Sequence, residues 1–290
     1  MRVHSVPVHG DASACAPRVA AAHPALRGLV AGYAGFGGPA PGRSRTGSSR
    51  WPPPRSSSTW RALVTGGSRG IGRAIVRRLA SLGARVVYTY RRDAFDFDLP
   101  DVTAVRADQA DPGALAAMFA PVRASGLDIL VNNAAIAPRI PLAKLTGEDF
   151  DRVMAINTRF PLLAIREAAT LMRDHGRIVN LSTLNTVVAG PGLALYCASK
   201  AALEQITAVA ARELGPRGIT VNTVSPGQTD TDMLRATAPW PDIESAAASF
   251  GALGRVGTPD DVAAVVAWLA GPDAAWITGQ NIRATGGLIV

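Results

Sequence analysis

From residue 61 onward, short apolar runs rich in β-branched residues alternate with longer segments whose apolar residues recur at helical spacing. Such alternation is the pattern of repeated βαβ units around a parallel sheet. The apolar runs place strands at Arg61–Thr65, Arg85–Tyr90, Val102–Ala107, Ile129–Asn132, Arg177–Leu181, Ile219–Ser225 and Asn281–Ala284. A first helix is expected over Ile71–Leu82, because Ile71, Ile75, Leu79 and Leu82 share one face while Arg73 and Arg77 fall elsewhere. Other helices are expected from Tyr196 through Leu203, Ile206 and Val209, and over Asp260–Leu269. Seven strands in one sheet with helices on both faces give a single α/β domain, a Rossmann fold, over residues 61–290. Between Arg92 and Asp108 the chain is too short for a connecting helix, and Asp93-Ala94-Phe95-Asp96-Phe97-Asp98 reads as an irregular link.

Residues 1–60 show neither periodicity and are rich in Arg, Pro, Gly and Ser, so they read as a disordered extension. This division changes the meaning of the charge. The 290-residue chain carries a formal +8, but the extension holds seven arginines against Asp11, and the domain after it is nearly neutral. A neutral body is a poor binder of nucleic-acid backbone, and no nucleic-acid partner is expected of it. Three readings of the extension stay open: a dispensable or misassigned start, a targeting segment, and a binding arm. No unbroken apolar run approaches about 18 residues, so no membrane span is expected. Cys15 and Cys197 fit neither a disulfide framework nor a metal pattern, and His4, His9 and His23 lie in the extension. His175 is placed in a polar turn before the fifth strand. No metal is expected, and a reducing, cytoplasmic setting is the default.

The first strand leads directly into Thr65-Gly66-Gly67-Ser68-Arg69-Gly70-Ile71-Gly72 and then into the first helix. Glycines let the backbone turn and approach a pyrophosphate, and the helix start supplies free N–H groups with a positive dipole end. Strand before and helix after mark this loop as a dinucleotide site. NAD-preferring sites place an acid at the end of the second strand, where this chain has Tyr90 followed by Arg91 and Arg92. With Arg69 projecting from the glycine loop, these arginines favour a 2′-phosphate, hence NADP(H). Solvated turn residues are the competing reading of Arg91 and Arg92. Farther along, Tyr196 and Lys200 are four residues apart on one helix face. An ammonium beside a phenol stabilises the phenolate, which makes tyrosine usable in acid–base chemistry.

Together with Asp108, Asn132-Asn133-Ala134-Ala135, Asn157, Asn180-Leu181-Ser182-Thr183 and Ser225-Pro226-Gly227-Gln228-Thr229-Asp230-Thr231, these strings resemble the classical short-chain dehydrogenase/reductases. The likeness covers the whole domain and is greatest to the 3-oxoacyl-(acyl carrier protein) reductase branch. The resemblance implies an NADPH-dependent oxidoreductase that reduces a carbonyl, a 3-oxoacyl thioester or related ketone, to a secondary alcohol. Tyr196 would be the proton donor, Lys200 would bind the nicotinamide ribose and depress the tyrosine pKa, and Asn157 would hold a relay water. Thr183 stands where the family has its serine, and Ser182 is the neighbouring candidate. Gly66, Ser68, Arg69, Gly70, Ile71 and Gly72 would bind cofactor with Arg91 and Arg92. Asp108 and Gln109 would contact adenine, and Asn133 and Ala134 the adenosine side. Pro226, Gly227, Thr229 and Thr231 would lie at the nicotinamide and pyrophosphate. Ala135 departs from the usual glycine, and Thr285 from the usual aspartate before two glycines.

Substrate contacts are expected from Asp232 to Val256, where Met233 and Trp240 offer apolar surface for a lid, with oligomer contact and plain core as the other readings. Besides a small carbonyl substrate, the resemblance implies self-association as a homotetramer or homodimer. An oxidative alcohol dehydrogenase and a non-catalytic NADP-binding regulator remain the alternatives.

Overall fold

The computed structural model describes residues 59–289, so residues 1–58 of the expected extension, and Val290, lie outside the described residues. Seven parallel strands form one sheet in the order β3-β2-β1-β4-β5-β6-β7. They are β1 Arg61–Val64, β2 Arg85–Tyr90, β3 Val102–Arg106, β4 Leu127–Asn132, β5 Met172–Leu181, β6 Thr220–Pro226 and β7 Asn281–Ala284. The helices are α1 Gly70–Ser81, α2 Ala114–Arg123, α3 Gly147–Met154, α4 Phe160–Leu171, α5 Ala194–Leu214, α6 Asp232–Arg235, α7 Trp240–Phe250 and α8 Pro259–Ala270. The winding reverses at β1, which pairs with β2 on one side and β4 on the other. In such sheets a crevice opens beyond the carboxyl ends of the strands at the reversal, and that is where ligands bind.

Period-two alternation along β1 divides the core. Ala62 and Val64 pack with Ile75 and Leu79 of α1 and Val262 and Val266 of α8, whereas Leu63 packs with Phe119 of α2, Ile165 of α4 and Ala210 of α5. Every residue of β4 is buried, as a central parallel strand covered on both faces must be. Helices α3 and α8 each start in a capping box, Thr146 with Asp149 and Thr258 with Asp261, which satisfies amides that a helix start leaves open.

Boundaries differ from the sequence pattern where polar residues conceal a strand. β5 begins at Met172, and His175 therefore lies inside it, at φ +65°, instead of in a preceding turn. The register between β4 and β5 shifts between Leu127 and Ile129, so the strand bulges there. Asp128 of β4 holds this segment. Its carboxylate accepts from Arg173 Nε at 2.8 Å, from the other arm of that guanidinium at 2.6 Å, and from the Arg61 amide at 2.8 Å. A nearly buried carboxylate is tolerable because all these donors converge on it. The segment from Asp232 to Val256 holds helices α6 and α7, and the link over residues 91–101 contains neither helix nor strand, as its length required.

Candidate active site

The glycine loop turns under β1 because its residues permit close approach. Gly70 sits at φ +52°, and a Cβ on Gly72 would fall 2.1 Å from the Gly66 carbonyl oxygen. Only a bare backbone fits there. Asn133, at the end of β4, straps the loop in place: its Nδ2 donates to the carbonyls of Thr65 at 2.9 Å and Gly66 at 3.2 Å. The Thr65 hydroxyl accepts from the amides of Asn133 and Ala134 at 2.9 and 3.0 Å. Asn133 thus acts on the loop as well as on the cavity it lines. Helix α1 starts at Arg69 with no side-chain cap and no acid in its first turn, which leaves its amide donors and dipole directed at the crevice.

Beyond these strand ends lies a cavity of about 950 Å³. It brings together Gly66, Ser68, Arg69, Gly70, Ile71 and Gly72 with Arg91, Arg92, Asp108, Gln109, Asn133, Ala134, Ser182, Tyr196, Lys200, Pro226, Thr231 and Met233. Asn157, Thr183, Gly227, Thr229 and Trp240 are not in its wall. Gly227 backs onto Thr285, where a Cβ would come within 2.9 Å of the Thr285 Cα, and the Thr229 hydroxyl donates to the Gly227 carbonyl at 3.1 Å. Trp240 carries the Arg235 guanidinium 4.2 Å above its ring. Arg69 reaches across the mouth to Asp232 at 3.3 Å, an exposed pair of small energetic weight. Asp108 turns the chain by accepting from the Ala110 amide at 3.1 Å. Gln109 is buried in the wall with neither carboxamide atom bonded, an arrangement that asks for a ligand partner.

At the other end of the cavity, Tyr196 and Lys200 stand on successive turns of α5. Lys200 is 2% exposed and its Nζ donates to the Leu181 carbonyl at 2.7 Å. Burial brings its pKa down to about 8, against the opposing charge of Glu204 one turn farther along. Burial also pushes the Tyr196 phenol up, against the depression expected from Lys200, and only the Thr183 hydroxyl beside it works the other way. The phenol is therefore held protonated at neutral pH, ready to give a proton to a basic oxygen. Thr183 caps the turn after β5, where its Oγ1 accepts from the Asn185 amide at 3.2 Å. The Ser182 hydroxyl is committed to Glu204 at 2.6 Å. Asn157 is wholly buried in a π-helical turn, residues 155–159, that joins α3 to α4. Its Oδ1 accepts from the Ile136 amide at 2.9 Å, and its Nδ2 donates to the Ile136 carbonyl at 2.8 Å and to Ser199 Oγ at 3.0 Å. These bonds tie the segment after β4 to α5 and fix Tyr196 relative to the cavity wall.

Sequence reasoning did not reach Phe95, Glu204, or the wall contributed by Asp149, Arg152, Val153 and Ile156. It also missed a smaller cavity of about 340 Å³ at the start of α5, lined by Leu142, Asn185, Val187, Pro191 and Cys197 among others. The signal was present in Val187 and Val188, apolar residues left exposed between β5 and α5.

Comparison with known proteins agrees with this geometry. A family model described as Enoyl-(Acyl carrier protein) reductase matches residues 66–289. The Cyclic-di-GMP-binding biofilm dispersal mediator protein of Escherichia coli (strain K12) is 44% identical over 223 residues, 75% of this chain and 92% of that protein. Hydroxynaphthalene reductase-like protein Arp2 of Metarhizium brunneum is 38% identical over 259 residues, 81% of this chain and 97% of that protein. Among solved structures, the angucycline C-6 ketoreductase LanV with bound NADP superposes with a TM-score of 0.73 at 38% identity, covering 79% of this chain and 95% of that one. Fold, glycine loop, Tyr196–Lys200 pair and these matches together place the chain in the short-chain dehydrogenase/reductase family.

Proposed function

We propose that this protein is an NADPH-dependent reductase that converts a ketone to a secondary alcohol, with Tyr196 as proton donor. The observation that carries the reading is one cavity joining an uncapped helix start and unpaired cations to a buried Tyr196–Lys200 pair. The neighbouring ketoreductase with bound NADP supports the same cofactor and reaction class. The residues fit the group: the Gly72 cradle admits only backbone, the Gln109 carboxamide lacks a partner, and Arg91 and Arg92 offer cations for a 2′-phosphate. NADPH supplies hydride. The remaining work falls to the chain itself.

Tyr196 hydrogen-bonds the carbonyl oxygen and transfers its phenolic proton as negative charge develops there. Thr183, which acts on that phenol, supplies the second hydroxyl at the same oxygen. The Lys200 ammonium stabilises the phenolate left behind until solvent reprotonates Tyr196. Asn157 positions these groups through Ile136 and Ser199. Met233, which lines the same cavity as Tyr196, and the smaller apolar cavity at the start of α5 would give the substrate a hydrophobic seat, which suits a ketone with an extended apolar or aromatic body. A 3-oxoacyl thioester is one such substrate. Leu162 of α4 and Val209 of α5 are exposed apolar residues through which a homodimer or homotetramer would assemble. Among the described residues no helix is long and apolar enough to cross a membrane.

The test is consumption of NADPH and, separately, NADH against aromatic polyketones, quinones, β-ketoacyl thioesters and simple ketones. NADPH-selective turnover of at least one class is expected. Binding of NADPH without consumption on any ketone, or selectivity for NADH, overturns the reading.

A further inference from the structure

The link between β2 and β3 is almost wholly exposed from Arg91 to Asp101, with two exceptions, Phe95 and Phe97. These two aromatic residues do different work. Phe97 packs against the core beneath α1, with its ring 5.1 Å from that of Tyr88 in an edge-on contact. Phe95 stays outside that core and in the cavity wall, alongside Arg91, Arg92, Asp108 and Gln109.

Phe95 is nevertheless fixed from several directions. Tyr88, 1% exposed on β2, uses its hydroxyl twice on one residue: it donates to the Phe95 carbonyl at 2.6 Å and accepts from the Phe95 amide at 3.0 Å. Both backbone groups of Phe95 are thereby satisfied without any secondary structure. The ring is held by Phe97 at 4.8 Å in a T-shaped contact and by the Arg73 guanidinium of α1, 4.7 Å from its centroid. Burial pushes the Tyr88 phenol up, which keeps the proton that this clamp requires. An irregular link that lacks a helix is thus locked about one aromatic ring at the edge of a ligand cavity. The Gln109 carboxamide, with donor and acceptor both free, lines the same cavity. An aromatic ring and an unpaired carboxamide in the wall of one cavity are complementary to a purine, which offers a π-face and an edge that pairs with carboxamides.

We propose that Phe95, clamped through its peptide group by the Tyr88 hydroxyl, is a preformed aromatic wall for the adenine of the bound dinucleotide. This inference rests on the reading of the cavity as an NADP(H) site. Phe95 touches the base, Tyr88 is its positioning residue, and Arg73 braces the ring. Because the same locked link begins with Arg91 and Arg92, the wall also fixes the place of the cations that meet the 2′-phosphate. The clamp replaces the ordering that a helix after β2 would supply.

The experiment is calorimetric titration of the full chain with 2′,5′-ADP, which carries the adenosine end alone, and with nicotinamide mononucleotide, which carries the other. Phe95→Ala is expected to weaken 2′,5′-ADP by about 10-fold or more, the usual size of a lost base–aromatic contact, and to leave nicotinamide mononucleotide unchanged. Phe95→Tyr, which keeps a ring, retains wild-type affinity. Tyr88→Phe keeps the buried ring and removes only the clamp, and it weakens 2′,5′-ADP several-fold. Because Phe95 lies outside the core, Phe95→Ala forfeits only its ring contacts with Phe97 and Arg73, a fall in melting temperature of roughly 2–8 °C that leaves the protein folded. Wild-type binding of 2′,5′-ADP that Phe95→Ala leaves intact overturns the wall alone. A wild-type protein that fails to bind 2′,5′-ADP overturns the NADP(H) reading beneath it.

Discussion

Lys200 should lower the stability of the fold that contains it. Its ammonium is 2% exposed, and burial carries its pKa from 10.5 to about 8. At about 1.4 kcal/mol per pH unit, that displacement amounts to roughly 3 kcal/mol of penalty for holding the charged form in the folded protein. Lys200→Met keeps the length of the side chain and removes the charge. It also forfeits the bond to the Leu181 carbonyl, worth about 1 kcal/mol, so the expected net gain is about 2 kcal/mol. For a domain of this size the melting temperature should rise by roughly 4–8 °C. The sign follows from proton linkage. The folded pKa lies below the unfolded one, so the unfolded chain binds more protons between about 8 and 10.5. The penalty is full below that window and fades as pH rises through it. Thermal unfolding of both proteins, followed by circular dichroism without added nucleotide, should show the variant more stable at neutral pH and the gap closing towards the alkaline end. A variant that melts at or below the wild-type temperature at neutral pH refutes the reasoning, as does a gap that does not narrow. The same variant is expected to lose turnover, because the proposed mechanism uses that charge to stabilise the Tyr196 phenolate.

Two further predictions concern the cofactor cavity and the helix cap of α8. Replacing Arg91 and Arg92 together by alanine removes charge-assisted bonds to a 2′-phosphate, so steady-state kinetics should show KM for NADPH rising by about 10- to 100-fold with NADH little affected; an equal loss for both cofactors would assign these arginines elsewhere. Thr258→Ala removes one half of the capping box of α8, where the Asp261 amide donates to Thr258 Oγ1 at 3.2 Å and the Thr258 amide to Asp261 Oδ2 at 2.7 Å. A loss of about 1 kcal/mol, seen as a melting temperature lower by roughly 2–4 °C, is expected, and an unchanged one shows that the cap does not hold the helix.

Much of this was legible in the chain because the strands of a doubly wound sheet are apolar runs and the phosphate loop is written in glycines. Residues such as Val86, Tyr88 and Ile129 to Val131 announce their burial by composition. The start of β5 did not, because Arg173, Asp174 and His175 look like a turn, and only the bulge and the Asp128 carboxylate explain why a strand carries them. At the site, spacing alone paired Tyr196 with Lys200. It could not tell that the Ser182 hydroxyl is taken up by Glu204, or that Trp240 is covered by Arg235, since both depend on residues distant in sequence or on side-chain direction. Phe95 escaped for a related reason: in an acidic, irregular link one phenylalanine reads like the other, and the clamp that separates them comes from the tip of a buried tyrosine on the neighbouring strand.

The most direct measurement is NADPH binding and NADPH oxidation by the wild type and Tyr196→Phe, side by side, with one responsive ketone. The account predicts that the variant binds NADPH as the wild type does and turns over at least about 100-fold more slowly, since removal of a positioned proton donor typically costs that much or more. A variant that retains turnover near the wild-type rate would contradict it, because the proton would then come from another group.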